Sequence, residues 1–316
     1  MKFFTLIPTN TKIDFIGKFK YFFALSLVTF VFVIWKVSTG GLNFGVDFTG
    51  GTVIQARFNK AQNAESVRKI IAELGEGEAS VVSLGTENTD YLITSRSHAD
   101  NDESGKNLLN QKLTQKLGSD VQILSVDVVG PKVGAELKKA AILSLVYSIL
   151  LIAAYIWLRF DFRFAPGATI AMVHDLIMAT GFYLLTGREF TITAIAALLT
   201  IAGYSVNDTI VIYDRVREMN KAGGNALPLP ETINKAINLT LSRTILTAAL
   251  TLISVIPIAI FCTGELQSFA LAMCFGIFVG IYSTIYIASP FTIYVAKFLE
   301  NKEQTRTTSR TAKVKA

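Results

Sequence analysis

Acidic residues set inside apolar runs are the ones in this sequence whose type and position could do chemistry. Asp208 lies near the end of an apolar segment at roughly 191 to 213, and Asp175 follows His174 in another at roughly 168 to 186. A carboxylate in hydrocarbon is costly unless it faces protein or water, so such a residue marks a proton or ion pathway, or a buried bond between helices. Around Asp208, Thr193, Ala196, Thr200, Gly203 and Asn207 recur every three or four residues, a small and polar helix face flanked by Tyr204 and Asp208. At about 1.5 Å per residue, Asp175 lies about 10 Å and Asp208 about 8 Å in from the same side. Arg243 opens a later apolar run, where its long side chain can reach Asp208 or extend to the headgroups. A cation and burial pull the proton affinity of a carboxylate in opposite directions, which makes proton binding at such a pair sensitive to small movements. His174 is open to two readings, a packed hydrogen-bonded residue or a proton carrier.

Other chemistry is excluded or weak. No G-x-x-x-x-G-K-[ST] phosphate loop occurs, and the two histidines, His98 and His174, have no metal-ligand spacing, so no cofactor and no metal site are expected. A carboxylate that alternates between two sides of a membrane can instead draw on the potential, worth about 2.3 kcal/mol per charge per 100 mV. The stretch GVDFTGG contains Gly45, Asp47, Gly50 and Gly51, and composition alone does not separate a glycine-permitted turn from a docking loop. A small-residue stripe, Ala272, Gly276, Gly280, Thr284 and Ala288, predicts close helix packing. Cys262 and Cys274 lie in or beside apolar runs and read as small core residues, not a disulfide framework.

The elements that must position these residues are membrane helices. Of 316 residues, 51% are hydrophobic and only 17% charged, a balance unlike that of a soluble domain. Six apolar segments, near 19–36, 139–158, 168–186, 191–213, 244–262 and 268–288, are long enough to span about 30 Å of hydrocarbon. The basic residues cluster between these runs instead of forming one stripe, so the net charge of +6 reflects topology and no nucleic acid partner is expected. Lys12, Lys18, Lys20, Arg159, Arg163, Arg215, Arg217, Lys221, Lys235 and the tail place both termini in the cytoplasm. Residues 37 to 138 then lie outside. Within them, strand patterns over 52–58, 79–84, 90–94 and 121–129 alternate with helix patterns at Val67, Ile70, Ile71, Leu74 and at Leu109, Leu113, Leu117. The βαββαβ order is ferredoxin-like. The fold class is therefore an α-helical integral membrane protein of six transmembrane helices with one extracytoplasmic α+β ferredoxin-like domain. Its parts are a cytoplasmic N-terminus 1–18, helix 1 at 19–36, the external domain 37–138, helices 2–6 within 139–298, and a cytoplasmic tail 299–316.

The ordered set GVDFTGG, VGPKVGAEL at Val129 to Leu137, His174-Asp175, GYSVNDT at Gly203 to Thr209 and SRT at Ser242 to Thr244 resembles the SecD/SecF protein-export family, a branch of the resistance-nodulation-division superfamily. The resemblance covers nearly the whole chain and fits its SecF side. It implies a multi-pass protein of the bacterial inner (plasma) membrane, bathed in membrane lipid, that joins SecD and the SecYEG channel. There it would use protons to assist export of unfolded preprotein. Asp208 is similar to the family's proton-responsive aspartate and Arg243 to its partner arginine, with a further acid expected from SecD. Two rivals are an intramembrane aspartyl protease built on Asp175 and Asp208, and a drug or lipid exporter of the same superfamily. Against the first stand the absence of Gly-x-Gly before Asp208 and of any Pro-Ala-Leu.

Overall fold

In a computed structural model of the protein, residues 11–73, 79–84, 88–95, 120–221 and 227–315 are described, with side chains as far as residue 302. The order is α1 (Phe19–Ser38), α2 (Val46–Thr49), β1 (Gly51–Phe58), α3 (Ala64–Glu73), β2 (Ser80–Leu84), β3 (Asp90–Ser95), β4 (Val121–Val129), α4 (Pro131–Arg159), α5 (Ala165–Thr186), α6 (Ile192–Lys221), α7 (Leu229–Phe261), α8 (Gly264–Ser283), a π-helical turn (Thr284–Ala288) and α9 (Ser289–Lys315). Among the described residues, six helices are long and apolar enough to cross a membrane: α1, α4, α5, α6, α7 and the continuous rod that begins with α8.

Several helices outrun their apolar segments. Helix α4 starts at Pro131 because Gly130 is extended and proline, with its fixed φ, favours the first helical position. Helix α7 starts at Leu229, so Arg243 lies well inside it; the apolar run, not the helix, opens there. Burial separates an inner group from an outer one. Half or more of the most apolar stretch is buried in α5 (50%), α6 (56%) and the α8 rod (56%), against 11%, 6% and 17% in α1, α4 and α7. The inner three cross at small residues. A Cβ on Gly276 would sit 2.5 Å from Ile201 Cδ1, and one on Gly280 3.1 Å from Ser205 Cβ, so the small-residue stripe lets the α8 rod lie against α6.

The sheet is antiparallel throughout, in the order β2-β3-β1-β4, which with α3 between β1 and β2 is the ferredoxin-like arrangement. Alternation on β1 turns Ile54, Ala56 and Phe58 inward, where they meet Val67 and Ile71 of α3, Val81, Tyr91 and Ile93. The helix read over Leu109, Leu113 and Leu117, the turn at Asn101 to Gly105, and Leu74 lie outside the described residues.

This cluster is separate from the membrane core, so residues 42–132 expressed alone are expected to fold as a mixed α/β domain. Arg57 donates to both carboxylate oxygens of Asp90 at 2.7 and 2.8 Å. Those bonds, with the guanidinium charge, hold the Asp90 carboxyl below its usual range of about 3.8. A depressed carboxyl contributes stability that is present above the unfolded pKa and lost as pH falls through the folded one. Thermal melts of the isolated domain should therefore lose an acid-labile increment below about pH 4 that Arg57→Ala lacks. A random-coil circular dichroism spectrum at neutral pH would contradict independent folding.

Candidate functional site

The GVDFTGG stretch is a joint between the sheet domain and the membrane helices. Asp47 Oδ2 accepts from Ile192 N–H at 3.0 Å, which satisfies one of the orphan donors at the start of α6 with a negative charge. Gly45 N–H donates to Phe190 O and Phe190 N–H to Asn43 O, tying the chain that leaves α1 to the α5–α6 connection. Gly50 has φ +77°, and a Cβ there would lie 3.0 Å from Pro131 Cα. Both the backbone conformation and the contact require glycine. Gly51 follows at φ 146° and opens β1. Phe44, Phe48, Phe190 and Tyr183 fill the joint with ring centroids 5.4 to 6.3 Å apart. Of the motif, Gly45 and Asp47 are thus brought to the start of α6, Gly50 to the start of α4 and Gly51 to the start of β1, none of them to Asp208.

Deeper in the bundle, Asp175 of α5 is fully buried and occupied on every side. Ser205 of α6 and Ser283 of α8 both donate to its Oδ2, the second at 2.7 Å, and His174 Nδ1 lies 3.0 Å from Oδ1. The crossing of α6 with the α8 rod at Gly280 aims both serines at one carboxylate. The line of hydroxyls continues through Thr209 and Thr284, 2.9 Å apart, to Tyr213 and Thr292, 2.7 Å apart. Thr284 begins the π-helical turn, a local rewinding frequent at functional sites. His174 Nε2 is buried without a hydrogen-bond partner among the described residues.

Asp208 is one turn beyond Ser205 on α6 and 3% exposed, and its Oδ2 is buried with no hydrogen-bond partner among the described residues. Arg243 on α7 is exposed, and its charge reaches Asp208 through space without closing an ion pair. Asp208 and Asp175 are not bonded to each other, and Asp175 is saturated by hydroxyls and His174. Two carboxylates sharing one proton, the requirement of an aspartyl protease, are thus not formed. The two helix stripes have opposite fates. Ala272, Gly276, Gly280, Thr284 and Ala288 are all buried, whereas Ala196, Thr200, Gly203 and Asn207 are exposed, a polar and small face that nothing among the described residues covers. Thr193, at its N-terminal end, is half-buried and donates to Glu265 at 2.8 Å.

Charged and titratable groups in or at the edge of apolar runs point to Asp175, His174, Asp208 and Arg243, but not to Ser205, Ser283, Thr209, Tyr213 and Thr292. Ser283 directly precedes Thr284 of the sixth-segment stripe, and Ser205 lies two residues from both Gly203 and Asn207; neither position marks the hydroxyl as a partner of Asp175.

Together the helices, the joint and the sheet define a six-span helical membrane protein with a small antiparallel α+β domain. A family described as "Protein export membrane protein SecD/SecF, C-terminal" matches residues 109–298, and one described as "SecD/SecF GG Motif" matches residues 37–62. The protein translocase subunit SecF of Calditerrivibrio nitroreducens is 39% identical over 303 residues, covering 95% of this chain and 99% of that one. The subunit of the same name from Rickettsia felis is 38% identical, covering 94% and 96%. The crystal structure of SecDF from Thermus thermophilus, described as a translocon-associated membrane protein, matches with TM-score 0.80 at 34% identity, over 92% of this chain and 40% of that chain. A SecDF in a super-membrane-facing form matches with TM-score 0.70 at 33% identity. The chain belongs to the SecD/SecF family, among its SecF protein translocase subunits. It spans 40% of the length of the SecDF chains that it matches.

Proposed function

We propose that this chain works with SecD as a proton-driven unit that assists the passage of unfolded preprotein through the SecYEG channel. The observation that supports it most is the pairing of a buried carboxylate at Asp208, whose Oδ2 has no partner among the described residues, with an uncovered polar face on the same helix and an exposed Arg243 on the next. Polar surface at membrane depth is expensive in lipid, so it favours a protein neighbour, and the longer SecDF chains supply the class of neighbour: SecD. When Asp208 is ionised, Arg243 attracts it; when a proton arrives, the attraction weakens and α7 can repack against α6. His174 and Asp175 serve this relay by fixing Ser205, one turn from Asp208, so that α5, α6 and the α8 rod act as the frame. The sheet domain follows the movement through the joint at Gly45, Asp47, Gly50 and Gly51.

In this reading the protein sits in a bacterial inner membrane with both termini cytoplasmic and the sheet domain outside. The basic short loops support that orientation. A cysteine at Arg57 is expected to label with an impermeant maleimide in intact cells, and one at Lys221 only after permeabilisation; the reverse pattern would invert the topology. Partner contact is tested with Asn207→Cys in a background where Cys262 and Cys274 are serine. A photoactivatable thiol probe there should cross-link to SecD in native membranes, and recovery of lipid adducts alone would contradict a protein neighbour on this face.

A further inference from the structure

The N-terminal residues 11–17 do not hang free below α1; they are held against the start of α7 by two asparagines one helical turn apart. Asn238, 6% exposed, accepts Ile13 N–H at 2.9 Å and donates to Ile13 O at 2.9 Å, so a side-chain amide takes the place of a strand partner. Asn234 repeats the pattern, accepting Phe15 N–H at 2.9 Å and donating to Ile13 O at 3.1 Å. Thr11 Oγ1 adds a bond to Asn238 O at 3.4 Å. Beyond the clamp, Phe15 is buried and meets Tyr286 of the π-helical turn edge-on at 6.3 Å, and Phe22 of α1 stacks on the same ring at 4.1 Å. The strap therefore bridges the two helices on either side of the polar site: α7, which bears Arg243, and the rod, which bears Ser283 and Thr284. A gap of about 580 Å³ remains between strap and helix, lined by Thr11, Lys12, Asp14, Glu231 and Lys235 among others, so hydrogen bonds more than packing hold the strap here.

We infer that Asn234 and Asn238 are positioning residues for the Asp208–Arg243 pair, setting through the strap the height and tilt of α7 relative to the frame. Arg243 lies five residues past Asn238, about 7.5 Å along the same helix axis, so a displacement of the clamped end is passed to the guanidinium by a rigid element. Sequence contributes little to what is read: the asparagines bind backbone groups of Ile13 and Phe15, while the Ile13 side chain is 43% exposed. The inference rests on the reading of Asp208 and Arg243 as the switch, and its test separates the two.

The probe is Phe15→Cys in the full chain with SecD, with Cys262 and Cys274 replaced by serine, labelled by a maleimide from the cytoplasmic side of inverted vesicles. Combining it with Asn234→Ala and Asn238→Ala should speed labelling at least about tenfold, because the side-chain bonds to Ile13 N–H, Ile13 O and Phe15 N–H are all lost. Asn238→Asp keeps the acceptor for Ile13 N–H and should give an intermediate rate; it decides the point if the alanine variants do not accumulate. Asp208→Asn should label as the parent does, whatever its export, so labelling reports the strap alone. Gradient-stimulated export should fall several-fold in the alanine variants; in a separate variant that combines Asn234→Ala with Ile13→Cys and Asn238→Cys, it should be low in the reduced protein, return when the two cysteines are oxidised to a disulfide, and be lost again on reduction. Unchanged labelling would overturn the clamp. Faster labelling with full gradient-stimulated export, or a loss that the disulfide does not restore, would overturn the positioning role.

Discussion

Asp208→Asn is expected to abolish the gradient-stimulated part of preprotein export while leaving insertion, abundance and SecD association unchanged. Asparagine has the size of aspartate and no charge, so it imitates the protonated state permanently and removes the alternation that would do work. One charge moved through 100 mV supplies about 2.3 kcal/mol, so the stimulation at stake is up to about fiftyfold. Arg243→Ala should produce a similar loss by removing the attraction felt only by the ionised form. The double variant should be little worse than either single one, since residues that act as a unit are non-additive. Export with full gradient dependence in Asp208→Asn, at normal protein levels, would return this aspartate to a structural role.

The largest effect on stability is expected at Asp175. Asp175→Ala leaves the hydroxyls of Ser205 and Ser283 and the His174 ring without their shared acceptor and opens a void where α5, α6 and the α8 rod meet. Removing one member of a buried polar network costs about 3 to 5 kcal/mol, enough to unfold a marginal protein or send it to degradation. Asp175→Asn retains a side-chain oxygen for the two serines and should lose much less. The melting temperature of the detergent-purified chain measures both. A wild-type value for Asp175→Ala would show that the three-helix junction contributes little.

These outcomes depend on different parts of the sequence, and the parts were unequally legible. Asp175, His174 and Asp208 stood out because charge inside an apolar run is expensive, and strand alternation on Thr52 to Phe58 placed Ile54, Ala56 and Phe58 on one face, where the structure has them. The stripes on α6 and on the α8 rod looked alike in spacing, yet one is buried and the other uncovered. Periodicity identifies a face but not what lies against it. Ser205 and Ser283 were invisible as ligands of Asp175 because their meeting depends on a helix crossing at Gly280, a long-range contact with no local trace. The start of α7 at Leu229 was hidden for a related reason: its first turns are polar and half-exposed, held by the N-terminal strap instead of by lipid. The roles of the glycines in the joint emerged only when Pro131 Cα and Thr191 were seen against them.

Proton flux through the assembled unit tests the central claim most directly. Liposomes holding this chain with SecD, loaded with a pH-sensitive dye and given an acid outer medium with a potassium-valinomycin potential, negative inside, should acidify faster than protein-free vesicles. The same complex with Asp208→Asn should acidify at the protein-free rate. Equal acidification by the parent and the Asp208→Asn complex would contradict the account, because protons would then be crossing without the carboxylate assigned to receive them.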